Sequence, residues 1–233
     1  MKKSKILLSI FCIAIVAILV SCNKIDNYDA PDGTLTGSVI DNVTGKPIIT
    51  QQPEGFRIKY EEISWSATPI AQYFWAKADG TFNNTKLFAG KYNITPVEGA
   101  FVAPELQTVE ITSGGVTTIK FTVIPYISFA GVSIVKNGTN VTATFTLTKN
   151  VAASTPQSYR VFVALLTPYV GTFDFDSSLS SGDVAMTNSD LGITKVVTLD
   201  KLVAGKKYYI RIGARCSNPS GRYNFTEIAT IQM

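Results

Sequence analysis

Beyond residue 33 the chain alternates between apolar and polar positions in short runs that end at glycine, proline or asparagine. A period of two is typical of β-strands that bury one face, and these runs do not show the 3.6-residue period of a helix. The pattern predicts a first set of strands at residues 34–40, 56–63, 72–78, 91–96, 108–112 and 116–124. It predicts a second set at residues 127–135, 140–148, 159–166, 194–199, 208–214 and 225–231.

Two of the predicted turns indicate hairpins. Gly114 and Gly115 separate two strands of the first set, and Asn137 with Gly138 separates the first two strands of the second set. Glycine and asparagine readily adopt the positive φ that tight hairpin turns need. Each set spans about 100 residues, the size of a small antiparallel sandwich. We therefore predict an all-β chain with two antiparallel β-sandwich domains in tandem, at residues 34–124 and 125–233.

The N-terminal segment has the features of an export signal. Three lysines precede an apolar run, residues 6–20, which is shorter than the ~20 residues that a membrane-spanning helix needs. The run ends in Leu19, Val20, Ser21 and Cys22, which resembles the lipobox of bacterial lipoproteins. This resemblance implies that residues 1–21 are a lipoprotein signal peptide and that the Cys22 thiol carries a diacylglycerol that holds the protein on a membrane. An ordinary secretory signal with an incidental cysteine is the alternative.

Residues 22–33 form a polar tether without hydrophobic periodicity. Its acidic residues close behind the cysteine resemble the surface-export signals of Bacteroidetes lipoproteins. This similarity implies that the protein is attached to the outer membrane and faces the cell exterior.

Charge and composition exclude several classes of function. Residues 1–21 hold three of the 21 basic residues and no acidic residue, which leaves 18 basic against 17 acidic residues, a net charge of +1. The mature chain therefore lacks the basic footprint of a nucleic-acid-binding protein. Histidine is absent, which excludes Ser-His-Asp and Cys-His catalysis and histidine-ligated metals. Cys216 is the only cysteine after Cys22, so packed cores rather than disulfides must stabilise the fold.

The first predicted domain carries a recognisable set of turn and strand residues. They are Gly37, Val39, Asp41, Thr44, Gly45 and Pro47, then Asp79, Gly80 and Phe82, then Leu87, Gly90 and Tyr92. This pattern resembles the prealbumin-like domain of carboxypeptidase regulatory regions. The resemblance implies a scaffold that is not itself catalytic.

The second predicted domain contains Leu202, Gly205 and Tyr208, followed by alternating apolar residues up to Ile212. This segment is similar to the passage from strand E to strand F in fibronectin type III domains, with Ala204 where proline is usual. The similarity implies that Tyr208 forms a tyrosine corner, in which its hydroxyl bonds to the upstream backbone.

Together, the lipobox, the acidic tether and the two domains resemble an uncharacterised family of two-domain Bacteroidetes lipoproteins, domain-of-unknown-function family 3823. Members of that family are often associated with polysaccharide-utilisation systems, and the family has no established reaction.

Three aromatic residues are candidates for glycan binding. In the strand predicted at residues 72–78, Tyr73 and Trp75 share a face with Lys77, and that lysine should face water. An exposed tyrosine and tryptophan suit the apolar face of a sugar ring. Trp65, in a nearby turn, is a third candidate. The alternative is that these rings pack against the neighbouring domain or a core edge.

Other polar residues give weaker hypotheses. The segment from Gly171 to Gly192 is too long for an ordinary connection. Its Asp174 and Asp176 are possible calcium ligands, although without EF-hand spacing a solvated loop is favoured. A two-carboxylate glycosidase would draw on the candidates Glu54, Glu61, Glu62, Glu98 and Glu105, but small sandwiches without a deep pocket make this unfavourable. We predict no catalytic residues, no metal and no cofactor.

These observations favour a non-catalytic surface lipoprotein that binds polysaccharide or serves an outer-membrane importer complex in a polysaccharide-utilisation system. A structural or adhesive surface protein that binds another protein is the alternative. Its predicted partners are the membrane, through the lipid on Cys22, and a glycan or importer, but not nucleic acid.

Overall fold

The computed structural model describes residues 29–233, and residues 31–233 form one compact unit. The predicted signal peptide and Cys22 lie outside the described residues. Within the described part of the chain, no helix is both long enough and apolar enough to cross a membrane. Apart from a short 3₁₀ turn at Asn188–Asp190, the regular structure there is entirely β.

The first sandwich consists of two four-stranded sheets. One sheet has the strand order β4-β1-β8-β6 and the other has the order β3-β2-β5-β7. The strands are β1 Gly33–Asp41, β2 Arg57–Glu62, β3 Gln72–Trp75, β4 Thr81–Leu87, β5 Gly90–Val97, β6 Phe101–Val102, β7 Gln107–Ile111 and β8 Val116–Pro125.

Alternation along the strands builds the core between these sheets. In β8, the side chains of Ile119, Phe121 and Val123 are buried while the residues between them are exposed. They meet Ile58 of β2 and Ile94 of β5 in the core of the first sandwich. This is the inward and outward alternation that a period of two predicts.

The second sandwich packs a three-stranded sheet, β13-β10-β9, against a five-stranded sheet in which β12-β11-β14-β15 are consecutive and β16 pairs with β14. Its strands are β9 Ile127–Asn137, β10 Asn140–Lys149, β11 Pro156–Ala164, β12 Val184–Ala185, β13 Lys195–Leu199, β14 Lys207–Cys216, β15 Asn224–Phe225 and β16 Ala229–Gln232. The predicted tyrosine corner is present, since the Val203 amide donates to the Tyr208 hydroxyl at 2.9 Å. The all-β prediction is thus confirmed.

The structure differs from the predicted strands in several places. Thr81–Leu87 was not predicted, because its sequence has five polar residues among seven, but it pairs with β1 along the sheet edge. β1 and β8 are parallel, so the first sandwich is not purely antiparallel. The strand predicted at residues 72–78 ends at Trp75, and the one predicted at 225–231 divides into β15 and β16.

Arg211 lies where the two sandwiches meet. Its Nη1 donates to the carbonyl oxygen of Thr50 in the first sandwich at 3.2 Å and to that of Val170 in the second at 3.1 Å. Its guanidinium group lies 4.1 Å from the ring centroid of Phe225. Burial lowers the pKa of Arg211 to about 9. The side chain is fully inside the junction, so the two sandwiches are joined by a buried contact and not only by the chain between them.

Candidate functional site

The exposed face of β3 presents the predicted aromatic pair. Tyr73 and Trp75 are each 43% exposed, whereas Phe74 between them packs on the core residue Phe82 and on the half-buried Tyr60. Both rings therefore lie on the exposed face of β3, as the alternation of side chains and the position of Lys77 predicted. Ligand binding by these rings stays a prediction.

Arg57 of β2 completes this surface. It is the register partner of Trp75 across the β2–β3 pair, and its guanidinium carbon lies 4.2 Å from the Tyr73 ring centroid and 5.6 Å from the Trp75 ring centroid. A bidentate ion pair with Glu98 holds the guanidinium, with Nε donating to the carboxylate at 2.7 Å. This hydrogen bond raises the pKa of Arg57, and the ion pair compensates the charge of the guanidinium. We call Arg57, Tyr73 and Trp75 the aromatic platform.

Trp65 is separate from the aromatic platform. It is 84% exposed and lies in the loop that joins β2 to β3, beyond the last strand pair, Tyr60 with Gln72. Trp75 is at the other end of β3, three residues further on, or about 10 Å at the rise of an extended strand. The structure brings Tyr73 and Trp75 together against Arg57, and among the described residues no aromatic or cation–π contact joins Trp65 to this surface.

A cleft between the two sandwiches begins beyond the aromatic platform. Lys77, two residues after Trp75, lines a cavity of about 490 Å³ together with Asp79, Gln52 and, from the second sandwich, Tyr169 and Asp174. The Tyr169 side chain is 56% exposed. The Thr81 hydroxyl and amide donate to Asp79 at 2.6 and 3.0 Å and lower the pKa of that carboxyl. An aromatic ring beside charged and amide groups is suited to a polyhydroxylated ligand.

The segment from Gly171 to Gly192 is anchored at its start on the first sandwich. The Thr172 amide and hydroxyl both donate to Gln51 Oε1, at 3.1 and 2.8 Å, and Gly171 is buried. The Phe175 ring packs edge-on against Phe162 at a centroid distance of 5.3 Å. Polar and aromatic contacts therefore hold the start of this segment at the junction, whereas Asp174 is exposed.

The calcium hypothesis finds no geometric support in the described part of the chain. The Asp176 carboxylate accepts hydrogen bonds from the Ser178 amide and hydroxyl at 2.9 and 2.6 Å, which lower the pKa of Asp176. It therefore stabilises its own turn. No group of three or more potential acidic, histidine or cysteine ligands occurs among the described residues.

Four of the five candidate glutamates have structural partners, and Glu105 is exposed. Glu54 pairs with Arg222 at 3.2 Å, Glu61 pairs with Lys59 at 2.9 Å and Glu98 pairs with Arg57. Glu62 accepts a hydrogen bond from the Ser64 amide at 2.7 Å. These contacts occupy Glu61, Glu62 and Glu98 within the first sandwich, whereas Glu54 reaches across the junction to Arg222.

Sequence reasoning missed three residues of this surface: Arg57, Tyr169 and Arg222. Arg57 was detectable only through the register of β2 against β3. Arg222 lies 6.0 Å from the Trp75 ring centroid although 147 positions separate the two residues, and no local pattern predicts such a contact.

The fold and this surface define a two-domain all-β protein with solvent-exposed aromatic groups near the junction of its domains. Two family profiles match the chain, the N-terminal domain of the DUF3823 proteins of unknown function at residues 33–124 and the DUF3823 C-terminal domain of unknown function at residues 128–230. The chain belongs to the DUF3823 family.

Solved structures of Bacteroidetes proteins share this fold. A proposed carbohydrate-binding protein from Bacteroides uniformis is similar over 87% of this chain and 100% of its own, with 24% identity and a TM-score of 0.72. A DUF3823 protein from the same species has 24% identity, the same coverage and a TM-score of 0.73. One from Parabacteroides merdae has 19% identity over 88% of this chain and 100% of its own, with a TM-score of 0.70. No curated protein is significantly similar to the chain.

Proposed function

We propose that this protein is a non-catalytic lipoprotein of the cell surface that binds carbohydrate for a polysaccharide-utilisation system, either by itself or beside an outer-membrane importer. The aromatic platform carries the proposal. Two half-exposed rings stand on one strand face with an arginine against them, and the same strand face continues into a cleft lined by Lys77, Asp79 and Tyr169. Rings bind the apolar faces of sugars, and charged or amide groups bind their hydroxyls.

The relatives are consistent with this proposal. One protein of similar fold is described as a proposed carbohydrate-binding protein, and the others carry the family description alone. None of these descriptions names a reaction. The carboxylates weighed for glycosidase chemistry are mostly held in ion pairs and turns, which favours binding without hydrolysis.

Trp75→Ala tests the site. We expect it to weaken glycan binding at least fivefold, because a stacked aromatic ring contributes on the order of 1 kcal/mol or more. The melting temperature should change little, since the ring is 43% exposed. A glycan array with the soluble chain from Asn23 onward would identify the ligand, and calorimetry would compare the variants.

Trp65→Ala is the matched control, because it removes a tryptophan from the β2–β3 loop outside the aromatic platform. Its affinity should equal that of the unaltered protein. Undiminished binding by Trp75→Ala would remove the aromatic platform from the proposal. A large loss of stability instead of binding would assign Trp75 a structural role.

The proposed membrane attachment depends on Cys22. Cys22→Ala should release the protein from membranes, since the thioether to diacylglycerol needs the thiol and the apolar run at residues 6–20 is short for a permanent span. Membrane fractionation with a labelled fatty acid measures this. Cys216→Ala is the control and should keep the label. Incorporation of the labelled fatty acid into Cys22→Ala would contradict the proposed lipid anchor. Sedimentation of this variant with salt-washed membranes would contradict it as well.

Adhesion to another protein is the second candidate, and β9 is the feature that bears on it. β9 lies at the edge of its sheet and exposes Val132 and Val135, which favours strand addition by a partner. However, Gly131 in the same strand has a φ of +59° and lies where the register with β10 shifts. Such bulges hinder strand addition at an edge, so carbohydrate binding remains the better-supported proposal.

A further inference from the structure

A second cavity at the junction contains a concentration of arginines. It has a volume of about 360 Å³ and is lined by Arg160, Arg215 and Arg222 together with Phe162, Phe175 and Tyr223, among others. We call it the arginine groove. Arg160 belongs to β11, Arg215 to β14, and Arg222 to the turn between β14 and β15. Gln51 of the first sandwich also lines it, so both sandwiches form the arginine groove.

The arginine groove has an excess of positive charge. Arg222 pairs with Glu54 at 3.2 Å. Among the residues that the structure describes, neither Arg160 nor Arg215 has an acidic group within ion-pair distance. Asp183 accepts a hydrogen bond from the Tyr223 hydroxyl at 3.3 Å rather than pairing with an arginine. Two guanidinium groups are therefore uncompensated in a confined space.

Aromatic rings hold these guanidinium groups. Arg160 lies 5.2 Å from the ring centroid of Phe175, and Arg215 lies 5.1 Å from that of Tyr223. A cation stacked on a ring keeps the donors along its edge available for a ligand. In the described structure the Nε atoms of Arg160, Arg215 and Arg222 are buried and have no hydrogen-bond partner. The Nη atoms of Arg160 and Arg215 are not among these buried unpaired donors, so they are the atoms that an anionic ligand in the cavity can reach.

We propose that the arginine groove binds an acidic group of a saccharide, a uronate carboxylate or a sulfate ester. This inference rests on the proposed function and specifies its ligand class. A guanidinium fork matches the two oxygens of a carboxylate or sulfate. The volume lies near the lower end of the roughly 300–1,000 Å³ of small-molecule sites, which fits one or two sugar units. Arg222 lies 6.0 Å from the Trp75 ring centroid, so the arginine groove adjoins the aromatic platform.

Calorimetry with the soluble chain from Asn23 onward tests the proposal, because this chain contains the whole compact unit of residues 31–233. The probes are oligogalacturonate and its methyl ester, and chondroitin sulfate and unsulfated chondroitin. The two pairs distinguish a carboxylate ligand from a sulfate ligand. We expect at least one acidic probe to bind about tenfold tighter than its matched probe, with an affinity that falls as salt rises.

Arg160→Gln and Arg215→Gln should each weaken binding of that probe roughly tenfold or more, since a charge-assisted hydrogen bond is lost. Arg160→Lys should also weaken it, because a point charge replaces the planar fork. Lys207→Gln is the matched control. It removes a cation that stacks on Tyr209 in β14 at 5.1 Å, outside the lining of the arginine groove, and affinity should not change.

Equal binding within both pairs of probes would overturn the proposal of an acidic ligand. Full binding of the acidic probe by both Gln variants, together with its loss in Trp75→Ala, would overturn it as well. Either result would leave the proposed function standing. Absence of binding to every glycan on the array would overturn the proposed function itself. The comparison of probes and the salt dependence use the unaltered protein, so they decide the question even if a variant does not fold.

Discussion

Gly37→Ala should destabilise the protein by about 3 kcal/mol or more, a loss at or above the usual range for an overpacked core. Gly37 lies in β1, between β4 and β8. A Cβ atom there would lie 2.1 Å from the Ile119 carbonyl oxygen and 2.5 Å from Cζ of Phe82. The first contact is with paired backbone and the second with a ring that is 1% exposed, so neither group can move aside cheaply. Urea denaturation monitored by fluorescence measures the loss.

Gly182→Ala is the matched control for this experiment. No heavy atom lies within 4 Å of the Cβ position at Gly182, so its stability should stay within about 0.5 kcal/mol of the unaltered protein. A loss below about 1 kcal/mol for Gly37→Ala would mean that β1 shifts to make room. In that case the glycine of the prealbumin-like pattern would not be required by packing.

Phe162→Ala should cost about 3 to 5 kcal/mol, the range for truncating a large buried ring. Phe162 is 1% exposed and packs on Phe175, Tyr223 and Phe225 at centroid distances of 5.3, 5.8 and 5.6 Å. Two of these rings, Phe175 and Tyr223, stack with Arg160 and Arg215. The substitution should therefore weaken binding of acidic saccharide along with stability.

Calorimetric unfolding measures the loss of stability in Phe162→Ala, and limited proteolysis reports on the segment after Gly171. The segment after Gly171 should become sensitive to protease, because the ring beneath Phe175 is missing. Phe162→Leu, which keeps most of the apolar volume, should lose much less stability. An unfolding free energy within about 1 kcal/mol of the unaltered protein would show that the cluster around Phe162 contributes little to the junction.

Local pattern was sufficient for the features that depend on one strand or one turn. A period of two orients alternate side chains to opposite faces, which is why Tyr73 and Trp75 were placed on the exposed face and Phe74 was not. The two hairpin turns were also predicted from local sequence, and Gly114 and Gly138 both have the positive φ that such turns need. The tyrosine corner of Tyr208 followed from a short family pattern.

The local sequence pattern did not determine which strands pair with one another. The two-residue period predicts on which face of the sheet a side chain lies, but it does not predict which strand pairs with its own. The parallel pairing of β1 with β8 and the recruitment of polar β4 to the sheet edge therefore appeared only in the structure. The same holds for Arg57, which reaches Tyr73 and Trp75 through the register of β2.

The sequence by itself determined the fold class, the turns and the exposed face of β3, because each depends on neighbouring residues in the chain. Only the tertiary structure decided the chemistry of the junction. Alternation in β14 places Arg211 and Arg215 opposite the core residues Ile210 and Ile212, on the face where water would be expected. The first sandwich and the segment after Gly171 cover that face, because distant parts of the chain come together there only when both sandwiches are folded and packed.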